Sequence, residues 1–407
     1  MLTQQHIDTV KATIPLLASA GVAITDHFYR RLFTHHPELK NIFNLSHQHS
    51  GAQKVALFDA IAAYAHHIEN PAALKSAIER IAQKHTGFNV QPEHYQVVGH
   101  HLIETLRELA GEAFTPEVEE AWSEAYGVLA DVFIQREAAI YQEHATHKGG
   151  WEGLRRFIVQ EKRVESSLIT SFVLVPEDGQ AVLDYQAGQY LSVSVQPSHS
   201  PYTEIRQYSL SDAPNARSYR ISVRREDRGH GAPAGVVSCY LHDEIKEGDV
   251  IEAYAPAGDF VFKASPKPLV LISAGVGLTP MQSILESLAQ KTSAETGSAN
   301  GTSIYYLHAT ESQDTHAFKA RTETLKGNLA LTTYTWYRRA QNETSEYRFE
   351  GEMTLSDAPN LPLQQAEIYL CGPIGFMKAI YQQLKAHGVD DSQIHYELFG
   401  PHQSLEA

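Results

Sequence analysis

The stretch Leu269-Val270-Leu271-Ile272-Ser273-Ala274-Gly275-Val276-Gly277-Leu278-Thr279-Pro280-Met281 carries the clearest fold signal in the chain. Leu269 to Ile272 are continuously apolar, as a parallel strand covered on both faces requires. A Gly-Val-Gly turn follows, and Met281, Ile284, Leu285 and Leu288 then recur at helical spacing. This order sets backbone amides and a helix N-terminus at a strand's carboxyl end, where an anion binds. Plain turn chemistry is the bland reading of the two glycines. Ile304 to Leu307 and Ile368 to Leu370 repeat the strand signal, and Met377, Ile380, Tyr381 and Leu384 form the helical stripe after the second. Strands alternating with helices predict an α/β nucleotide-type domain over 265–407.

Upstream the period is two. Leu191, Val193 and Val195 alternate with Ser192 and Ser194, and Tyr219, Ile221 and Val223 alternate with Arg220, Ser222 and Arg224. Short alternating strands between turn signals predict an antiparallel β-barrel over 151–264. Between two such strands lies Arg206-Gln207-Tyr208-Ser209. Tyr208 can stack on a flat ring, while Arg206 and Ser209 reach phosphate or ribitol oxygens. Tyr190 shares a strand face with Ser192 and Ser194, so it can project toward a ligand or simply stand exposed.

Before the barrel, His144 to Trp151 (HATHKGGW) has no periodicity and reads as a linker. Residues 1–145 read as successive helices. Leu74, Ile78, Ile81 and Ala82 line one face, Tyr95, Val98, Leu102 and Leu106 a second, and Trp122, Tyr126, Leu129, Phe133 and Ile140 a third. Three polar residues fall on these apolar faces: His85, Tyr95 and Glu137. A buried carboxylate is costly unless hydrogen-bonded or paired, so the three are expected to satisfy one another as a His–Tyr–Glu chain. Taken singly, His85 reads equally as a core histidine, Tyr95 as a core tyrosine and Glu137 as a solvent-facing residue.

Composition narrows the function classes. A chain of 407 residues is too long for one core. The 43% hydrophobic and 20% charged content is that of a soluble globular protein. A net charge of −15 argues against nucleic-acid or acidic-membrane surfaces. Two cysteines, Cys239 and Cys371, stand far apart without a CxxC, which excludes a disulfide scaffold and suits a reducing compartment. No apolar run reaches the roughly 20 residues of a membrane span. The expected location is the cytoplasm.

Five further stretches stand out: Lys11-Ala12-Thr13-Ile14-Pro15-Leu16-Leu17, His27-Phe28-Tyr29, Pro37-Glu38-Leu39, Ile81-Ala82-Gln83-Lys84-His85 and Ala125-Tyr126-Gly127-Val128-Leu129-Ala130. On these, and over its full length, the chain resembles bacterial flavohaemoglobins, the nitric oxide dioxygenase family. It implies an all-α globin haem domain at 1–145, an FAD-binding barrel at 151–264 and an NAD(P)H-binding α/β domain at 265–407, in a ferredoxin–NADP reductase-like arrangement. His85 is then the proximal ligand to haem b iron, with Tyr95 and Glu137 as the relay behind it. Phe43 packs against the haem, while Tyr29, Gln53 and Leu57 line the distal pocket and Lys84 stands beside the ligand. The relay would fix the tautomer of His85 and make it more electron-donating. The Tyr29 phenol would hydrogen-bond O2 that has gained negative charge; core packing with Leu32 and Phe33 is its other reading.

For the reductase half the resemblance implies FAD contacts from Tyr190, Arg206, Gln207, Tyr208, Ser209, Val237 and Ser238. Gly275, Val276, Gly277, Leu278, Thr279 and Pro280, with Cys371, Gly372 and Pro373, would receive the dinucleotide. Tyr396, Glu397, Leu398, Phe399, Gly400 and Pro401 would border flavin and nicotinamide. Cys239, Leu278 and Leu398 depart from the family's usual Asn, Gln and Cys. The implied activity is conversion of NO and O2 to nitrate, with electrons from NADH or NADPH through FAD to haem. No arginine cluster follows His308-Ala309, which leans to NADH. A haem-based sensor or O2 store is the rival from another class, and a sensor would carry an output module instead of an electron supply. A plain diaphorase or ferric reductase is a second rival, at odds with the inward His–Tyr–Glu set. A monomer with small-molecule partners only, and no nucleic acid or integral membrane segment, is expected.

Overall fold

A computed structural model describes residues 2–15, 18, 21–43, 52–198, 200–227, 234–294, 302–339, 347–400 and 404–405, with backbone only at 52–54, 56 and 294. They form two compact units, 1–153 with 194–206, and 154–193 with 207–407. The first unit is helical: α1 (Gln4–Ala12), α2 (Ala23–His35), α3 (Ala52–His66), α4 (Lys75–Thr86), α5 (Pro92–Ala110) and α6 (Pro116–Thr146). Pro92 and Pro116 open their helices at the position that needs no N–H. The Thr115 hydroxyl accepts from the Val118 amide and caps α6. Gly99 lets α5 meet α6 closely, since a Cβ there would lie 2.4 Å from the Tyr126 ring.

The expected stripes face the core. Tyr95, Leu102 and Leu106 of α5 and Trp122, Phe133 and Ile140 of α6 are buried. Two boundaries differ from the sequence reading. Pro71–Leu74 is a separate 3-10 turn before α4. Helix α6 continues through His144, Ala145 and Thr146, so the irregular connection begins only at His147. Three helical residues at the end of a 31-residue helix add too little periodicity to be seen.

The helices also bury His101, with no hydrogen bond to either ring nitrogen among the described residues. Burial first, then His100, His36, Arg31 and His35, push its pKa from 6.5 down to about 4. The unfolded chain therefore binds a proton that the fold refuses between those two values. Stability should fall as pH drops through 6.5 and stop falling, for this group, below about 4. Thermal melts against pH check this: His101→Gln should flatten the loss across that window, and an unchanged slope would remove His101 as its source.

After the helices, β1 (Arg155–Val164), β2 (Ile169–Pro176), β3 (Tyr190–Val195), β4 (Glu204–Ser209), β5 (Tyr219–Arg224) and β6 (Val250–Ala253) form one sheet in the order β4-β3-β6-β1-β2-β5, with helix α7 (Val236–Asp243) between β5 and β6. Strand β1 pairs antiparallel with β2 and β6, and β2 with β5. A bridge from Leu210 to Ile221 links the two edge strands and closes the barrel. Four of the five polar members of the alternation are buried as well: Ser192, Ser194, Ser222 and Arg220 are at most 8% exposed, while Arg224 at the end of β5 is not buried. Part of that polarity is satisfied within the wall, where Ser222 Oγ lies 2.8 Å from Ser171 Oγ and 2.7 Å from Ser211 Oγ.

The last third is a parallel sheet of β7 (Leu269–Ala274), β8 (Ile304–Thr310), β9 (Leu331–Tyr337), β10 (Arg348–Glu350), β11 (Glu367–Cys371) and β12 (Ile394–Glu397), ordered β10-β9-β8-β7-β11-β12. Helices α8 (Leu278–Ala294), α9 (Lys319–Leu325) and α10 (Ile374–Ala386) connect its strands. The order reverses between β7 and β11, and a ligand crevice opens at such a switch point. All six residues of β7 are buried, as its apolar run requires. Among the described residues no helix is long and apolar enough to cross a membrane.

Candidate functional site

Helices α4, α5 and α6 bring His85, Tyr95 and Glu137 together. His85 Nδ1 lies 2.8 Å from Glu137 Oε1, Tyr95 Oη lies 2.5 Å from the same oxygen, and Tyr95 Oη is 2.9 Å from Nδ1. A carboxylate only accepts, so both the Nδ1–H and the phenol donate to Glu137. That leaves Nε2 with the lone pair, and Nε2 has no hydrogen bond among the described residues. Burial, and then the Glu137 charge, push the Tyr95 phenol far up, so it stays a donor. Glu137 is 3% exposed, and these two bonds offset the cost of burying its charge. Tyr126 donates to the Tyr95 carbonyl at 2.6 Å and fixes the turn that carries the phenol, a role the sequence reading did not assign. A neutral imidazole with its tautomer locked by a carboxylate fits an axial metal ligand.

Tyr29 on α2 is 5% exposed and packs with Phe28, Leu32, Leu39 and Leu102, bordered by Phe33, Phe43 and Leu57. Its ring meets Phe43 edge-on at 5.8 Å and stacks on Phe33 at the same distance. Tyr29, Phe43 and Leu57 thus share one apolar wall, so both readings of Tyr29 keep their geometry. The side chain of Gln53 lies outside the described residues. Lys84 is half-buried beside His85 on α4.

On β4 the Arg206 guanidinium pairs with Glu204 at 2.9 Å, and Ser209 ends the strand buried. Among the described residues Gln207 Nε2 is buried without a partner, an unused donor. Tyr190 is held high by burial and then by Glu397 and Asp259, which places the end of β12 near the flavin motif. Val237 and Ser238 are buried at the start of α7, and the Ser238 hydroxyl is engaged with the Gly235 carbonyl and the Glu226 amide. Cys239 points its thiol at the Glu226 carbonyl, 3.3 Å away.

At the switch point the two expected loops touch backbone to backbone. A Cβ on Gly277 would lie 2.3 Å from the Cys371 oxygen, and one on Gly372 would lie 3.2 Å from Ala274 Cβ. Gly275 adopts φ +53°, which favours glycine. Thr279 closes its hydroxyl on the Val276 carbonyl at 2.9 Å, and Pro280 is buried. Leu278 packs with Ile169, Ala317 and Phe318, so its side chain serves packing and only its backbone remains for a ligand. Cys371 is fully buried, with Pro373 as the N-cap of α10. Beyond β12, Leu398 packs on the domain core, Phe399 is 48% exposed and Gly400 sits at φ +153°. Pro401 lies outside the described residues.

Arginines stand near His308-Ala309 after all, supplied by the neighbouring strand. Arg338 and Arg339 extend the ladder past β9 by donating to the Thr310 and Glu311 carbonyls at 3.0 Å. Arg339 pairs with Glu311 at 2.8 Å, and Arg338 approaches Glu311 at 3.9 Å and Glu352 at 3.7 Å. A scan along one strand cannot see across the ladder. The basic charge is already matched by carboxylates.

The globin family matches residues 26–133, the oxidoreductase FAD-binding domain residues 156–262, and the oxidoreductase NAD-binding domain residues 271–382. The flavohemoprotein of Vibrio cholerae serotype O1 is 56% identical over 407 residues, covering 100% of both chains. That of Rhizobium meliloti is 45% identical, covering 98% of this chain and 99% of its own. Among solved structures, flavohemoglobin from Malassezia yamatoensis with bound FAD and heme aligns with a TM-score of 0.85 and 25% identity, over 98% of this chain and 100% of that one. The FAD/NAD-binding domain of nitric oxide dioxygenase from Vibrio cholerae O1 biovar El Tor aligns with a TM-score of 0.55 and 50% identity, over 61% of this chain and 99% of that one. A locked imidazole in a globin, an arginine–tyrosine strand in an FAD-binding barrel and a glycine switch point in an NAD-binding sheet occur here in one polypeptide, and the chain belongs to the flavohemoprotein family.

Proposed function

We propose that the chain is an NAD(P)H-dependent nitric oxide dioxygenase, an oxidoreductase that converts NO and O2 to nitrate and so detoxifies NO. The observation that carries this reading is the His85–Tyr95–Glu137 triad in a chain that also holds its own FAD and nicotinamide modules. When bound, haem supplies the iron centre for the diatomic gases, and FAD takes a hydride and passes electrons on singly. His85 offers Nε2 as the axial donor, while Glu137 and Tyr95 hold its proton at Nδ1. Tyr29 presents a phenol from the apolar wall it shares with Phe43 and Leu57, and Gln53 and Lys84 complete the set. Arg206, Gln207, Tyr208 and Ser209, with Tyr190, Val237 and Ser238, hold the flavin. Residues Gly275–Pro280 and Cys371–Pro373 receive the dinucleotide, and Glu397–Pro401 border it.

The proposed division is 1–145, 151–264 and 265–407; the family matches at 26–133, 156–262 and 271–382 support three modules in this order. A monomer in the cytoplasm completes the proposal; the two free cysteines suit a reducing compartment. The visible spectrum of the purified protein tests the reading: a Soret band and flavin absorbance together, both bleaching on anaerobic addition of NADH. Flavin without haem, or haem that NADH leaves oxidised, would overturn it.

Replacing Arg206 or Ser209 by Ala removes a bond to a charged flavin oxygen, worth roughly 1.5–3 kcal/mol. FAD should bind about ten- to hundredfold more weakly, while CO binding to the dithionite-reduced protein stays near wild type. Flavin titration with a parallel CO difference spectrum checks both halves. Loss of CO binding alongside FAD would contradict the modular account.

A further inference from the structure

One ion-pair network in the reductase half is left unused by the cofactor readings above. Glu286 lies on α8, nine residues beyond Gly277, and is 5% exposed. Its carboxylate accepts from Arg321 Nε at 2.8 Å and Nη2 at 2.6 Å, and from Gln282 at 2.9 Å. Arg220 Nη2 on β5 approaches it at 3.8 Å. Arg220 is 8% exposed; its Nε donates to Ser211 Oγ at 3.1 Å, its Nη2 donates to the Ser211 carbonyl, and its Nη1 lies 3.7 Å from Asp212. One turn before Glu286, the Ser283 hydroxyl donates to the Asp212 carbonyl at 2.7 Å. Ser211 and Asp212 lie two and three residues beyond Ser209, the end of β4, and α8 is the helix that opens at the glycine turn.

Two arginines and two carboxylates therefore balance in charge at the join between the flavin strand and the nucleotide helix. Burial would raise the Glu286 carboxyl, but the hydrogen bonds from Arg321 and Gln282 outweigh it and hold it below its ordinary range. Buried ionic clusters add little net stability over apolar packing of the same volume, yet they tolerate few alternative arrangements. Hydride transfer needs such restriction, because a misplacement of about 1 Å can cost on the order of a hundredfold in rate.

We propose that Glu286, Arg220 and Ser283 form a positioning clamp that sets the register of α8 against the flavin strand, and through it the approach of nicotinamide to flavin. The proposal rests on the reductase reading above. The full-length holoprotein tests it by anaerobic stopped-flow reduction of FAD with NADH and 4-deuterated NADH, and by hydrogen exchange of the FAD-loaded protein without NADH. Glu286→Gln keeps the shape and removes the charge. It should retain FAD, lower the limiting reduction rate about tenfold or more, leave half-saturation by NADH within about threefold, and speed amide exchange around Asp212 and Ser283. Ser283→Ala should move rate and exchange the same way by less, and it decides the matter if Glu286→Gln fails to fold or loses FAD. A limiting rate within twofold of wild type, even with a lowered melting temperature, would overturn the clamp and leave a merely structural network. If NADH failed to reduce FAD in the wild type, the reductase reading itself would fall.

Discussion

His85→Ala purifies with FAD at normal occupancy but with little haem, and it still oxidises NADH with artificial acceptors. The expectation follows from the geometry behind the imidazole. Glu137 takes the Nδ1 proton and Tyr95 donates to the same carboxylate oxygen, so only Nε2 of His85 is free to donate to iron. No other histidine of the helical unit shows this pairing with a buried carboxylate and phenol among the described residues. Its removal also strands Glu137, 3% exposed, with one partner instead of two. Leaving a buried charge under-satisfied costs several kcal/mol, so the helical unit should melt earlier too. His85→Gln keeps bulk near Glu137 and separates the two effects: stability recovers in part while haem stays absent. Haem content by pyridine haemochrome, normalised to FAD, reads the result. Normal occupancy in both variants would rule out the ligand assignment.

Tyr29→Phe should release O2 from the reduced protein about ten- to hundredfold faster. One hydrogen bond to an acceptor bearing charge is worth roughly 1.5–3 kcal/mol, and each 1.4 kcal/mol is a factor of ten. NO consumption should fall most at low O2, whereas FAD reduction by NADH should not change. Core packing makes the opposite forecast. Tyr29 already stacks on Phe33 and meets Phe28 and Phe43 edge-on, and phenylalanine keeps all three ring contacts. If packing is its whole role, stopped-flow traces of O2 dissociation will superimpose for the two proteins.

The His–Tyr–Glu chain was legible because helical periodicity states which face each residue occupies, and three polar residues on three apolar faces can only satisfy one another. The glycine turn was legible for a similar reason: the apolar run Leu269–Ile272 and a helix stripe bracket it. Periodicity is blind to partners across the chain. Gln282, Ser283 and Glu286 fall off the Met281–Ile284–Leu285–Leu288 stripe, yet all three are buried, with Ser283 donating to the Asp212 carbonyl and Glu286 paired with Arg321. Arg220 reads as the polar side of an alternating strand, and its partner lies 66 residues on, where no spacing rule reaches. Leu278 sits in the glycine turn, and its packing against Ile169 and Phe318 could not be read from the spacing. Spacing therefore misses contacts where two faces of one element are covered by different neighbours.

The central claim is that electrons drawn from a nicotinamide cofactor are spent on joining NO to O2. An NO electrode in aerobic buffer, with NADH added to the purified holoprotein and nitrate measured at the end, tests it most directly. The account predicts NO loss that requires both NADH and O2, yields one nitrate per NO, and disappears in His85→Ala while NADH oxidation with artificial acceptors persists. NADH oxidation that proceeds at full rate with no NO-dependent nitrate would contradict it and leave a diaphorase attached to a globin.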